Sequence, residues 1–449
     1  MVMPMQAPHA SLMIVKVAFR NVRRNWRHSI AALATLAVGF VSLALFQGYI
    51  EEFLRSQLDV IYSRIMIGEV MVQKKGAGTR EARITPEKYW IDEKEQQFLD
   101  RWISQQSAEV KTNVRTLLLV GMAHMGGSSA QIIVWGHDIP EGRIARRKWA
   151  WNTWAGHPLR ETDSSGTILA LGLAEILGCS VTSEEPVLDP VTAAPRPIER
   201  PFLCKQPSLM MTVTNGRGRT NALEADVVGL TRAGSRDFDE HLLWAPLRFA
   251  QDLASTRAVS QYMIVLKEPT HGPKMRAALR AALSQAGIHL EVVDWIDTEG
   301  ADLLRRGIDL LTVFRGLVFV VILVIAGAAV LTTMMKTVRE RTREIGTLRS
   351  LGYLRRHILA LFAVESAMLA ILAGGIGLLC SVLCTLAINS SSITYKGGLL
   401  ADAIPLRVGY SPAAYAWGFL FLSLVAVLAA LIAANRVTRM RIADALSDG

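Results

Sequence analysis

One carboxylate stands inside an apolar stretch of this chain. Glu365 lies inside the third of four expected spans, 357–388, one residue ahead of its uncharged run 366–388. A charged side chain at the centre of a bilayer costs at least ~2.5 kcal/mol. Near the cytoplasmic end of the span, that cost is lowered by snorkelling or by pairing with a cation. Two readings stand side by side: a polar tie between helices that move, or a carboxylate that snorkels or pairs with a basic neighbour such as Arg356. Thiols are the second reactive type. Cys380 and Cys384 lie one helical turn apart in the same run and read as small packing residues. Cys179 and Cys204 flank a Pro-rich stretch, 186–201, and a disulfide between them would close that loop in an oxidising compartment. By chain entropy a loop of that size is worth about 3 kcal/mol.

Other chemistry is missing from the pattern. His124, His137, His157, His241 and His271 are scattered, without H-E-x-x-H or Cys/His spacing, so no metal site is expected. Neither G-x-S-x-G nor G-x-x-x-x-G-K-[ST] occurs. No catalytic residue is assigned, and the chain is not expected to be an enzyme by itself.

The elements that must position Glu365 are legible as uncharged runs. Residues 30–50, 316–335, 366–388 and 412–434 each approach the ~20 residues that cross a bilayer. The chain has 449 residues, 51% of them hydrophobic and 20% charged, and a net charge of +10. That composition excludes a disordered chain and argues against an ordinary cytosolic enzyme. The positive charge clusters beside the apolar runs, on Lys16, Arg20, Arg23, Arg24 and Arg27, on 336–356, and on Arg436, Arg439 and Arg441. Such clustering is an orientation signal that keeps those ends cytoplasmic. No basic patch with reading aromatics appears, so nucleic acid is not an expected partner.

The expected organisation is a basic segment (1–29), a first span (30–50), a large outer α+β domain (51–310), a stalk and second span (311–335) and a cytoplasmic segment (336–356). A third span (357–388), an outer loop (389–411), a fourth span (412–434) and a cytoplasmic tail (435–449) follow. Strand-like runs fall at 69–73, 131–136, 209–214, 225–230 and 262–266, and helix-like runs at 92–109, 168–178, 246–256 and 272–287. Trp149, Trp151 and Trp154 follow Arg146, Arg147 and Lys148; they read as a small apolar core or as a contact surface for lipid or protein. Segment 336–356, KTVRERTREIGTLRSLGYLRR, places Ile345, Leu348 and Leu351 on one helical face and Gly352 at a helix stop. Its mixed charge favours a protein groove over a lipid surface.

Residues 338–379 resemble the coupling region of FtsX-like ABC transporter permeases. The pattern E-R-x-x-E-I-G-x-L-R-x-L-G is matched by Glu340, Arg341, Glu344, Ile345, Gly346, Leu348, Arg349, Leu351 and Gly352, with Glu365 in the next span. Residues 18–29 are similar to the family's amphipathic lead-in helix, and 436–446 to its usual end. In the outer domain, 67–78, 135–142, 167–181, 225–240 and 290–300 resemble the lipoprotein-releasing branch in that order; TSEEPV, ahead of the Pro-rich insert, departs from it. The resemblance implies a multi-pass permease of the bacterial inner membrane, with its large domain in the periplasm. The partners it implies are an ABC ATPase dimer, a second permease copy or related permease, membrane lipid, and a lipoprotein client with a periplasmic carrier. No cofactor is implied for this chain, ATP and magnesium being held by the partner ATPase. Other branches export peptides, macrolides or other small molecules, or regulate cell-wall hydrolases.

Overall fold

The computed structural model describes residues 26–182, 196–214, 219–233, 236–298, 301–391, 393–396 and 403–438. The basic segment up to residue 25, residues 186–195 of the Pro-rich stretch, and Arg439 and Arg441 of the tail lie outside the described residues.

The described residues begin with α1 (Trp26–Asp59), β1 (Val70–Lys74), α2 (Arg80–Ile84), α3 (Glu93–Gln105), β2 (Val110–Met125), β3 (Ser128–His137) and α4 (Ile139–Arg146). Next come β4 (Ala155–Gly156), β5 (Gly166–Ala170), α5 (Leu171–Leu177), β6 (Cys179–Val181), β7 (Phe202–Cys204), β8 (Ser208–Thr214), β9 (Thr220–Thr231) and α6 (Arg236–Asp239). They are followed by β10 (Leu242–Pro246), α7 (Leu247–Leu253), β11 (Gln261–Leu266), α8 (Gly272–Gln285) and β12 (Leu290–Val293). The last elements are α9 (Asp302–Glu340), α10 (Thr342–Ser350), α11 (Arg355–Ser390), β13 (Thr394–Lys396), β14 (Ala403–Pro405) and α12 (Pro412–Thr438). They form two units: Met1–Leu54 with Ile308–Ser391 and Leu406–Gly449, and Arg55–Gly307 with Ser392–Pro405. The sheet-bearing insertion thus falls between the first and second apolar helices in chain order. The segment expected as a plain loop at 389–411 instead carries a hairpin, Thr394 opposite Pro405, that groups with the sheet unit.

In the helical unit, α1, α9, α11 and α12 are long and apolar enough to cross a membrane. Their facing sides bury Leu36, Phe40, Ala326, Val330, Phe362, Leu369, Ala426 and Ala430. Val320, Val324, Leu379 and Ile432 remain exposed, giving an apolar exterior of the kind a bilayer covers. Small residues set the spacing. A Cβ on Gly374 would stand 2.5 Å from the Phe419 ring, so α11 and α12 approach only because that side chain is absent. Ser366 Oγ donates to the Ala426 carbonyl at 2.8 Å and ties the same pair. Cys380 and Cys384 differ from their packing expectation: both are exposed thiols.

The second unit is built on a mixed ten-stranded sheet, ordered β12-β1-β11-β2-β3-β10-β5-β9-β4, with β8 pairing β2 and β9. The five expected strands fall in β1, β3, β8, β9 and β11. The longest strand, β2, is among the strands without an expectation; its run LLLVGMAHM lacks the strict apolar–polar alternation that marks a half-buried strand. It pairs antiparallel with β3 from Thr116–His137 to Met125–Ser128. The expected helix at 168–178 starts only at Leu171, because Gly166–Ala170 is fully buried strand. The expected helix at 92–109 ends at Gln105. Asp92 opens it with a capping box, accepting from the Glu95 N–H while Glu95 accepts from the Asp92 N–H. Cys179 and Cys204 lie opposite each other on β6 and β7 and are joined by a disulfide.

Candidate functional site

The site is built where α9 gives way to α10. Arg341 separates the two, with φ −106° and ψ 14°. Its N–H donates to the Thr337 and Val338 carbonyls at 3.2 and 3.3 Å, and its own carbonyl accepts from Ile345 N–H at 3.0 Å. One residue therefore ends one helix and starts the next without leaving its own backbone groups orphaned. The expected segment 336–356 is consequently three pieces. Lys336–Glu340 continues α9, Thr342–Ser350 forms α10, and Leu351–Leu354 is a turn into α11.

The Arg341 side chain fixes the corner. Nη1 donates to Glu365 Oε2 at 3.2 Å, Nε donates to Glu344 Oε2 at 3.0 Å, and the guanidinium lies 5.6 Å from the centre of the Phe362 ring. Glu365 is 1% exposed, so this ion pair is sequestered from solvent. Breaking one partner of such a pair costs several kcal/mol, because the remaining charge stays buried. The basic neighbour of Glu365 is thus Arg341 and not Arg356, which is exposed at the start of α11. The reason is helical rise. Nine residues along one helix separate Arg356 from Glu365 by about 13 Å, whereas Arg341 enters sideways from the break.

The inner face of α10 is short. Ile345 and Gly346 are buried, and Ile345 joins Met334, Val338, Ile358 and Phe362 in one apolar cluster with Leu348 against it. Gly352 adopts φ +94°. Gly352 N–H donates to Arg349 O and Tyr353 N–H to Leu348 O, both at 3.1 Å, which closes the helix in a Schellman motif. A Cβ at Gly352 would meet nothing within 4 Å, so glycine is needed for its backbone conformation alone.

The turn beyond presents an apolar tip. Leu351 is 73% and Leu354 51% exposed, with Tyr353 between them, while Arg343, Arg355 and Arg356 are exposed around it. Among the expected site residues, the fold brings Arg341, Glu344 and Glu365 into one network. Ile345, Gly346 and Leu348 form the inner face, and Leu351 and Gly352 form the tip. Glu340 is exposed at the end of α9 and Arg349 half-buried on α10. The arrangement can present an apolar, cation-rimmed knob to another surface. Among the described residues no group of three His, Cys, Asp or Glu could hold a metal ion.

The Trp149–Trp154 cluster is internal to the sheet unit. Trp149 Nε1 donates to Asp59 Oδ2 at 2.9 Å, and the Arg232 guanidinium lies 4.0 Å from the Trp154 ring centre.

A helical unit of four apolar helices, cornered by one buried ion pair, defines a membrane-protein class. Residues 316–442 match the family described as FtsX-like permease C-terminal. The chain is similar to the uncharacterized ABC transporter permease YknZ of Bacillus subtilis (strain 168), 31% identical over 142 residues, 30% of this chain and 32% of that protein. It is also similar to the macrolide export ATP-binding/permease protein MacB of Burkholderia pseudomallei (strain 1710b), 29% identical over 137 residues, 30% of this chain and 19% of that protein. The chain therefore aligns over about a third and about a fifth of the length of these two relatives. The crystal structure of the extracellular domain of YknZ from Gram-positive bacteria overlaps 50% of this chain and 100% of its own, at 12% identity and a TM-score of 0.31.

Proposed function

We propose that this chain is the permease subunit of an ABC transporter, and that the knob formed by α10 and the Leu351–Leu354 turn docks into an ATP-hydrolysing partner. The Arg341–Glu365 pair carries this reading. It locks the knob to α11 from within, so force applied at Leu351 or Leu354 reaches the helical unit and is not absorbed by a flexible loop. Two helices leave the corner. α9 runs unbroken from Asp302 to Glu340, and in this reading it is the stalk that carries motion toward the sheet-bearing domain on the far side of the membrane. In this reading the basic clusters keep the knob cytoplasmic, and the chain sits in the bacterial inner membrane with its large domain in the periplasm. ATP and magnesium then belong to the partner, and a second copy or related permease completes the assembly.

The client we propose is a lipid-anchored protein, extracted from the membrane and passed to a soluble carrier. This rests on the resemblance of the outer segments to lipoprotein-releasing permeases. A second reading, export of macrolide-like small molecules, is favoured by the similarity to MacB. Client release from spheroplasts, compared with drug susceptibility of a deletion strain, separates the two.

Gly346→Pro and Leu348→Asp test the coupling role. Each disrupts the inner face of α10, and each is expected to abolish stimulation of the partner's ATPase while the chain still inserts and accumulates. Wild-type stimulation in both variants would overturn the reading.

A further inference from the structure

The sheet unit buries two guanidiniums, Arg64 and Arg146, and Arg146 has no acid beside it. Arg146 is 5% exposed at the C-terminal end of α4. Among the described residues it makes no ion pair, and its Nε has no hydrogen-bond partner. It lines a partly open cavity of about 400 Å³ together with His137, Arg143, Lys148, Trp151 and Arg160. Ile139, Arg143 and Arg146 reach it from one face of α4 by helical spacing.

The other cations of the cavity are already answered. Lys148 lies 2.9 Å from Asp59, Arg143 lies 3.9 Å from Glu161, and Arg160 pairs with Glu199. Arg146 is left with like charge nearby: burial, and then the charge of Arg64, push its guanidinium down to about 10. Two further buried polar atoms lack partners, His137 Nδ1 and Trp151 Nε1. His137 is 1% exposed; burial and the Arg146 charge hold it neutral, down to about 3. Buried polar groups are almost always hydrogen-bonded, and buried charges are almost always paired. Several such exceptions line this one cavity, and each turns a polar atom without a protein partner toward it. The walls also carry apolar surface, from Ile139, Ala150, Pro158 and Leu159.

We propose that this cavity binds an oxyanion, a phosphate group either free or as the headgroup of an amphiphile, with Arg146 as its central ligand. A guanidinium offers a planar fork that matches two oxygens of one phosphate. The neutral His137 ring and the Trp151 N–H supply uncharged donors, and the apolar wall receives a chain attached to the phosphate. This site stands apart from the proposed coupling role and does not depend on it.

The test uses the full chain in maltoside micelles, which contain no phosphate. Inorganic phosphate and dihexanoyl phosphatidic acid are titrated by calorimetry and by thermal shift. Wild-type protein is expected to bind at least one of them at millimolar concentration or below. Affinity for the two within about threefold identifies free phosphate as the ligand, whereas at least about tenfold tighter binding of the phosphatidate identifies a headgroup. Arg146→Gln is expected to lose at least about tenfold in affinity while its melting temperature without ligand holds or rises, since an uncompensated buried charge has gone. Trp151→Phe, which removes one neutral donor and keeps the ring, is expected to lose about threefold. The proposal is overturned if wild type binds neither probe, or if Arg146→Gln binds as wild type does. Should Arg146→Gln fail to fold, unchanged affinity in Trp151→Phe overturns it as well.

Discussion

The two units each bury an arginine, and they treat it in opposite ways. In the helical unit Arg341 meets Glu365 at 3.2 Å and Glu344 at 3.0 Å, with Phe362 below. In the sheet unit Arg146 meets a cavity, a neutral histidine and the field of Arg64. A buried charge with its partner is a fixed joint: its geometry is satisfied, and moving either half is costly. A buried charge without one is held ready, its desolvation already paid by the surrounding fold. The first arrangement suits a corner that must stay rigid under load, and the second suits a pocket that is completed by something from outside.

The sharpest way to break this contrast is to strip Arg341 of its acid. Glu365→Ala is expected to destabilise the helical unit by about 3–5 kcal/mol, seen as a lower melting temperature in detergent and as lost ATPase stimulation. A double variant, Arg341→Met with Glu365→Leu, removes both charges and is expected to regain most of that stability but not full coupling. Additive losses in the double variant would show that the two side chains do not act as a pair.

Next in size is the disulfide of the sheet unit. Reduction of Cys179–Cys204 is expected to cost about 3 kcal/mol by loop closure, read as denaturant midpoint with and without reductant. Alkylation should label these two residues only after reduction; in the denatured chain Cys380 and Cys384, which are free thiols, label with or without reductant and provide an internal comparison.

A smaller, signed effect tests the Arg146 side. His137 titrates far below the ordinary histidine value of 6.5, because burial and then the Arg146 charge oppose its protonation. Below pH 6.5 the unfolded chain takes up a proton that the folded chain refuses until about pH 3. His137 therefore favours the folded state above pH 6.5, and that contribution falls as pH drops through this window. The loss from pH 7 to pH 5 is expected to be about 2 kcal/mol. His137→Phe should flatten that slope in an unfolding series; an unchanged slope would mean that other groups carry the acid response.

Much of the molecule can be read along the chain. The four apolar helices follow from uncharged runs near bilayer length, and five strands from Val-, Ile- and Met-rich segments. The stop at Gly352 follows from glycine's access to positive φ, and it appears with φ +94° and Schellman hydrogen bonds. β2 was hidden because apolar residues occupy both of its faces: Leu117, Leu119 and Ala123 are buried while Val120 and Met122 are exposed, so LLLV shows no apolar–polar alternation and reads equally well as helix. Arg146 was hidden differently. In the run Arg146-Arg147-Lys148 nothing separates a buried guanidinium from a solvated one, and composition favours the solvated reading.

Residue order alone determined which segments are apolar enough to leave water, which carry the orienting positive charge, and where Glu365 must find a partner. Those are local properties: transfer free energy and backbone preference accumulate residue by residue. Tertiary structure alone decided that the partner is Arg341 and not Arg356, and that Arg146 has no acid beside it. Pairing energies depend on distance and on burial in three dimensions, and neither is encoded in spacing along the chain.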